Sequence, residues 1–222
     1  MLEELSSDKA TGATGSTRGI ERRTILKGAA WSVPVIAAAV AAPAASASVN
    51  NANLALTNDV TSLLALNVLD STTVLTAAVA ITVPTTLRVT NGAGALSGNA
   101  TVTISVGRPS GIPISVGRAH GFGVYRFDST LTTAGQRSAT YQSAPIVGQF
   151  GFPTTTFTTT KNFSVGSGAA LDIPVQWGLA GDRTGLSITA LASYPVSVTV
   201  VFPGRTLTAA SSILVPVGAG IL

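Results

Sequence analysis

The sequence predicts an all-β protein, an antiparallel β-sandwich preceded by a helical signal peptide. Three observations carry this reading. Beyond residue 47, polar and apolar residues alternate with a period of two almost throughout. Gly, Pro, Asn and Asp punctuate the runs every ~8–15 residues, and no stretch of helical period is left to supply the crossovers a parallel sheet needs.

Residues 1–47 form the first element, an export address. Arg18, Arg22, Arg23 and Lys27 make a positive segment, and no charge follows from Gly28 to Ala47. The membrane potential and anionic lipid hold such a segment on the inner side while the uncharged run enters the bilayer. Ala45 and Ala47 flank Ser46 in the Ala-x-Ala arrangement that signal peptidase accepts, because its pocket admits only small side chains at those two places. Cleavage after Ala47 starts the mature chain at Ser48.

Glu21-Arg22-Arg23-Thr24-Ile25-Leu26-Lys27 resembles a twin-arginine translocation signal. In that family a Ser or Thr precedes the arginine pair and a Phe often follows the variable position; Glu21 and Ile25 stand there in this chain. The resemblance implies that the twin-arginine export machinery reads Arg22, Arg23, Leu26 and Lys27. It also implies a product that is secreted or extracytoplasmic after signal peptidase acts at Ala45 and Ala47. The alternative is an uncleaved N-terminal membrane anchor, for which a run broken by Pro34 and Pro43 and rich in alanine is poorly suited.

Residues 48–53 read as a short linker and 54–222 as one sandwich domain. From Ser48 onward eight Lys and Arg remain against five Asp, with no Glu, and the charges are scattered singly. Recognition of a phosphate backbone needs clustered cations, so nucleic acid is excluded as a partner class. Solubility must come from Thr, Ser, Asn and Gly. The chain has no cysteine, which fits cargo folded in the reducing cytoplasm before export. A domain of this length buries roughly 70% of its unfolded surface and can stand on one core without disulfides.

Within the domain, Thr101-Val102-Thr103-Ile104-Ser105-Val106 alternates strictly. Leu171, Ile173, Val175 and Trp177 share one face while Asp172 and Gln176 take the other, and Val196, Val198, Val200 and Phe202 share a face near the end. Further strands are expected at 54–57, 63–69, 76–83, 86–90, 122–127, 138–142, 155–165, 186–191 and 206–215, all rich in β-branched and aromatic residues.

Residues 87–104, Leu-Arg-Val-Thr-Asn-Gly-Ala-Gly-Ala-Leu-Ser-Gly-Asn-Ala-Thr-Val-Thr-Ile, resemble the strand, Asn-x-Gly turn, Leu-x-Gly, strand pattern of bacterial immunoglobulin-like secreted modules. The resemblance implies an immunoglobulin-like or larger antiparallel sandwich. Locally, Asn91, Gly92 and Gly94 are expected to supply positive φ in the turn, with Leu96 tucked beneath it. The disulfide and central Trp of antibody domains are missing.

A short duplication follows: Ile104-Ser105-Val106-Gly107-Arg108 recurs as Ile114-Ser115-Val116-Gly117-Arg118, with His120 close behind. One reading joins Arg108, Arg118 and His120 in an anion site; the other makes them a pair of glycine turns with solvated arginines. One histidine and no cysteine do not make a typical zinc site, and singly spaced aspartates give neither a glycosidase pair nor a calcium loop. No Gly-x-Ser-x-Gly elbow is present. For Asp182 in Ala180-Gly181-Asp182-Arg183-Thr184-Gly185 one reading is a cation ligand and the other a residue that shapes a hairpin turn. No cofactor is implied.

Phe122, Tyr125 and Phe127, and Phe150, Phe152, Phe157 and Phe163 further on, are expected in the core, where aromatic side chains bury large apolar areas. If instead exposed, they would stack on sugars. The expected function is thus a non-enzymatic structural or interaction module of the cell envelope or extracellular space, partnered by an envelope protein or polysaccharide. A wall-polymer or carbohydrate-binding module using Tyr125 or Trp177 is the alternative. A secreted hydrolase using Asp128, His120 and a nearby arginine is the third reading.

Overall fold

Strict alternation yields strands buried on one side, and the computed structural model is built from them. It describes residues 52–77, 80–110, 116–184 and 192–216. These all belong to the unit that runs from Ser48 to Leu222. The signal residues Arg22, Arg23, Leu26, Lys27, Ala45 and Ala47 lie outside the described residues, as does the expected strand 186–191.

In chain order the strands are β1 (Asn53–Ser62), β2 (Ala65–Asn67), β3 (Val74–Thr76), β4 (Ile81–Thr90), β5 (Leu96–Val106), β6 (Gly121–Phe127) and β7 (Thr130–Leu131). There follow β8 (Arg137–Ala144), β9 (Gly148–Val165), β10 (Ala170–Ala180), β11 (Ala192–Phe202) and β12 (Arg205–Val215). A 3-10 turn at Ala134–Gln136 is the one helical element among the described residues. The fold class is therefore the expected one, all-β and antiparallel.

One hydrogen-bonded path runs β7-β6-β10-β4-β12-β11-β5-β9-β8, with β1 paired to β4 and β2-β3 forming a separate hairpin. The path curls back on itself, so that β6 lies over β9 and β11. Phe122 meets Tyr194 edge-on at 4.9 Å between ring centroids, and Phe127 meets Phe157 at 5.4 Å. The link across the curl is slight: β12 and β4 share one pair, Leu214 opposite Thr82. Two layers result, β12-β11-β5-β9-β8 and β1-β4-β10-β6-β7, with the aromatic core between them.

β10 belongs to two neighbours in turn. Ala170 to Pro174 pair with β4, and Val175 to Ala180 pair with β6. Pro174 sits at the change, where a residue without N–H forfeits no ladder bond. Trp177 then donates Nε1–H to the carbonyl of Pro84 across the gap, 2.6 Å away. Leu171, Ile173, Val175 and Trp177 face inward as expected, and β11 buries Ala192, Tyr194, Val196, Val198, Val200 and Phe202 in strict alternation.

Several expectations need correction. The stretch 76–83 is not one strand: Thr76 closes β3 and Ile81 opens β4. The strand expected at 155–165 starts at Gly148 and runs through Gly148, Gly151 and Pro153, residue types that usually interrupt strands. Pairing with β8 holds this part extended, with a register shift between Thr140 and Gln142. Of the turn residues 91, 92 and 94, Gly94 alone takes positive φ, at 87°. Asn91 is buried instead and donates its side-chain amide to the carbonyls of Gly94, Val165 and Gly166. Leu96 is buried beneath the loop as expected.

Candidate functional site

The broadest chemical feature is a sheet face. In the β12-β11-β5-β9-β8 layer, inward positions carry Phe, Val and Ile, so alternation sends the intervening residues out. The strand register aligns them in rows. Thr208 lies opposite Thr199, Thr199 opposite Thr103, and Thr103 opposite Thr158. In the next row Thr206, Val201, Thr101 and Thr160 stand side by side. On the other flank run Ala210, Ser197, Ser105, Thr156 and Ser138. Asn99 and Asn162 pair further along and share a 2.9 Å amide hydrogen bond.

No charged residue occupies an outward position in these rows. The charges of the layer fall at inward parity or at its ends: Arg137 pairs with Phe157, Arg205 with Phe202, and Lys161 follows the parity of Phe157 and Phe163. Each has a local partner. Arg137 donates to Asp70 at 2.6 Å, Lys161 pairs with Asp128, and the Arg205 guanidinium sits 6.0 Å from the Phe202 ring. The opposite layer differs, carrying the half-exposed Arg88–Asp172 pair at 3.4 Å on its outside. Sequence reading noted the Thr101/Thr103 alternation but missed the face, because its rows join strands far apart in the chain.

A second constellation gathers part of the duplicated segment. Arg118 Nη1 lies 3.3 Å from Asp182 Oδ2 and donates to Gln149 Oε1, while its guanidinium carbon sits 5.7 Å from the Tyr141 ring centroid. Tyr141 donates its hydroxyl to the carbonyls of Ala119 and Asp182. His120 is buried, with Nδ1 2.8 Å from the Gly181 carbonyl. That geometry makes Nδ1 the protonated nitrogen of a neutral ring. Burial pushes the His120 pKa below its ordinary value, the Gly181 carbonyl opposes this, and nearby Arg183 adds to it. Burial likewise raises the Tyr141 pKa.

The two arginines do not form the anion site. Arg108 spends Nε on the Phe152 carbonyl and Nη2 on that of Thr140, while Arg118 answers Asp182 and Gln149. Nor are the arginines solvated, as the other reading had them: both are held by acceptors of neighbouring segments. Asp128 and His120 are not brought together either. They flank β6 at opposite ends, about 25 Å apart at the usual rise per residue, and Asp128 pairs with Lys161.

The aromatic residues follow the core expectation. Phe122, Phe127, Phe152, Phe157, Phe163 and Trp177 are buried, while Tyr125 and Phe150 are half-buried. Tyr125, Gln176 and Trp177 nevertheless line one cleft with Asn67 and Thr85, where the β2-β3 hairpin leans over β10. The hairpin comes this close because Gly178 has no side chain: a Cβ there would stand 2.6 Å from the Asn67 carbonyl oxygen.

Comparison with protein-family models, with curated proteins and with solved structures found no match to this chain.

Proposed function

We propose that the chain is an exported, non-enzymatic structural or interaction module that works at the cell envelope or in the extracellular space. The observation that carries this reading is the charge-free outer face of the β12-β11-β5-β9-β8 layer, with its rows of Thr and Ser. Charged side chains are the ordinary means of keeping a sheet face soluble and unpartnered. A face that omits them over five strands is suited to contact. The sequence of residues 18–47 supports delivery through the twin-arginine route, cleavage after Ala47 and release as a folded domain.

The test is retention on isolated cell-envelope material. Unaltered chain is expected to be retained. Thr103→Lys, which places one charge at the centre of the face, is expected to abolish retention while Thr90→Lys on the other layer preserves it. Equal retention of all three would exclude the face.

A second reading, a wall-polymer or carbohydrate-binding module, is favoured by the cleft that joins Tyr125, Gln176 and Trp177. Sugars stack on aromatic rings and bond to amides; the cleft offers the half-buried Tyr125 ring and the exposed Gln176 amide, while Trp177 is buried. Tyr125→Ala is the discriminating variant. It would abolish polymer pull-down under this reading and leave it unchanged under the first.

A further inference from the structure

We infer that the hydroxyl face binds an ordered water lattice, the surface of ice. This rests on that face being the contact surface proposed above, takes the extracellular form of that reading rather than the envelope one, and names ice as the partner. Three rows cross the layer in register: Thr208-Thr199-Thr103-Thr158, Thr206-Val201-Thr101-Thr160 and Ala210-Ser197-Ser105-Thr156. Strand geometry sets these side chains on a rectangular net of about 4.8 Å across strands by about 6.7 Å along them. The prism face of hexagonal ice also presents its oxygen atoms on a rectangular repeat, so the two nets can meet over a short stretch. Thr supplies a hydroxyl that joins such a lattice and a methyl that fills its hollows.

The chemistry selects this occupant over others. A protein partner would strip water from the ten hydroxyls of these rows, and each one left unpaired costs about 1–3 kcal/mol. A water lattice offers every hydroxyl both a donor and an acceptor. A sugar chain would use aromatic platforms, and no aromatic side chain stands in these rows. A charged ligand would find no counter-charge. Ice also demands what the face already has: small, uncharged side chains, most of them open to solvent, with Thr101, Thr158, Thr160, Thr206 and Thr208 exposed and Thr103 and Thr199 half-buried.

Sheet twist of roughly 20–25° per strand limits registry to a patch of two or three strands. That patch centres on Thr103, between Thr199 and Thr158. The expected activity is accordingly slowed recrystallisation and capture by growing ice, with little depression of the freezing point.

The experiment partitions the full chain between a slowly growing ice hemisphere and the surrounding liquid, with Thr103→Lys, Thr199→Lys and Thr90→Lys beside it. Thermal unfolding of each variant first shows that it is folded. The unaltered chain and Thr90→Lys are expected to enter the ice, and the two face variants to enter about tenfold less. Exclusion of the unaltered chain from ice overturns the inference. The envelope-retention assay on the same samples separates the two readings. If the chain is excluded from ice but retained on envelope in a Thr103-dependent way, the contact face stands and its partner is not ice. If it is excluded from ice and sediments as a dimer that Thr103→Lys dissociates, the occupant is a second copy. Exclusion together with unaltered retention in every variant removes the face from both accounts.

Discussion

The side-chain amide of Asn91 donates to the main-chain carbonyl of Val165, 3.1 Å away and 74 residues later in the chain. The same amide reaches Gly94 and Gly166, and the main chain closes around it: Asn91 N–H donates to Ala169, and Gly168 N–H to Gly92. A turn read from sequence as a positive-φ element is thus a buried polar junction. It ties the β4-β5 loop to the β9-β10 loop.

Asn91→Ala leaves the buried Val165 carbonyl and the part-buried carbonyls of Gly94 and Gly166 without this donor. The expected loss of stability is about 2–3 kcal/mol. Asn91→Asp, which turns a carboxylate toward those carbonyls, is expected to cost at least as much near neutral pH. Chemical denaturation checks both, and a shift below about 0.5 kcal/mol would show that water replaces the amide.

Tyr194 presents the opposite case. Its ring is fully buried between Phe122 and Phe152, and its hydroxyl has no hydrogen-bond partner among the described residues. Burial alone drives its pKa far upward, so the phenol stays neutral at any ordinary pH. Tyr194→Phe removes an unpaired polar atom without changing the ring, and a gain of about 1 kcal/mol is expected. A loss in thermal or denaturant stability would reveal a buried water bound to that oxygen.

These two residues show where sequence reading reaches and where it stops. Tyr194 extends the Val196, Val198, Val200 and Phe202 alternation by one step, so its place in the core was legible from period two alone. Its missing partner was not, since that depends on what β6 and β9 bring above it. Asn91 was legible as a turn residue, but two of its three acceptors, Val165 and Gly166, lie 74 and 75 residues away. The start of β9 at Gly148 failed for a related reason, as pairing with β8 overrides the local preference of Gly and Pro. The hydroxyl face is the largest case. Thr103 announces an outward position, whereas its alignment with Thr158 and Thr199 is set by tertiary pairing.

His120 gives the fold a sign in its response to acid. Its folded pKa lies below the unfolded reference of 6.5, chiefly through burial. The unfolded chain therefore binds more protons in the window below pH 6.5, and stability falls as pH drops through it. Above that window the contribution is complete and flat. Unfolding midpoints measured from pH 8 to pH 5 are expected to decline at the acid end, and His120→Asn is expected to flatten that decline. An unchanged acid slope in the variant would place the proton uptake elsewhere.

Gly178 is the point at which the β2-β3 hairpin seats on β10. Gly178→Ala sets a methyl 2.6 Å from the Asn67 carbonyl and against Leu69 and Tyr125. The hairpin must lift, at a cost of about 1–3 kcal/mol, and the cleft of Tyr125 and Trp177 must widen with it. Denaturant unfolding together with Trp177 fluorescence checks this; wild-type stability and emission would mean that the hairpin is not held there.

We propose that this sandwich is delivered outside the cell, where an uncharged contact face is of use. Fractionation of a culture producing the full chain, followed by N-terminal sequencing of the product in each fraction, tests it most directly. A folded product in the medium beginning at Ser48, lost when Arg22 and Arg23 are both replaced by Lys, is the predicted result. An intact N-terminus confined to the cytoplasm or the membrane fraction would contradict it.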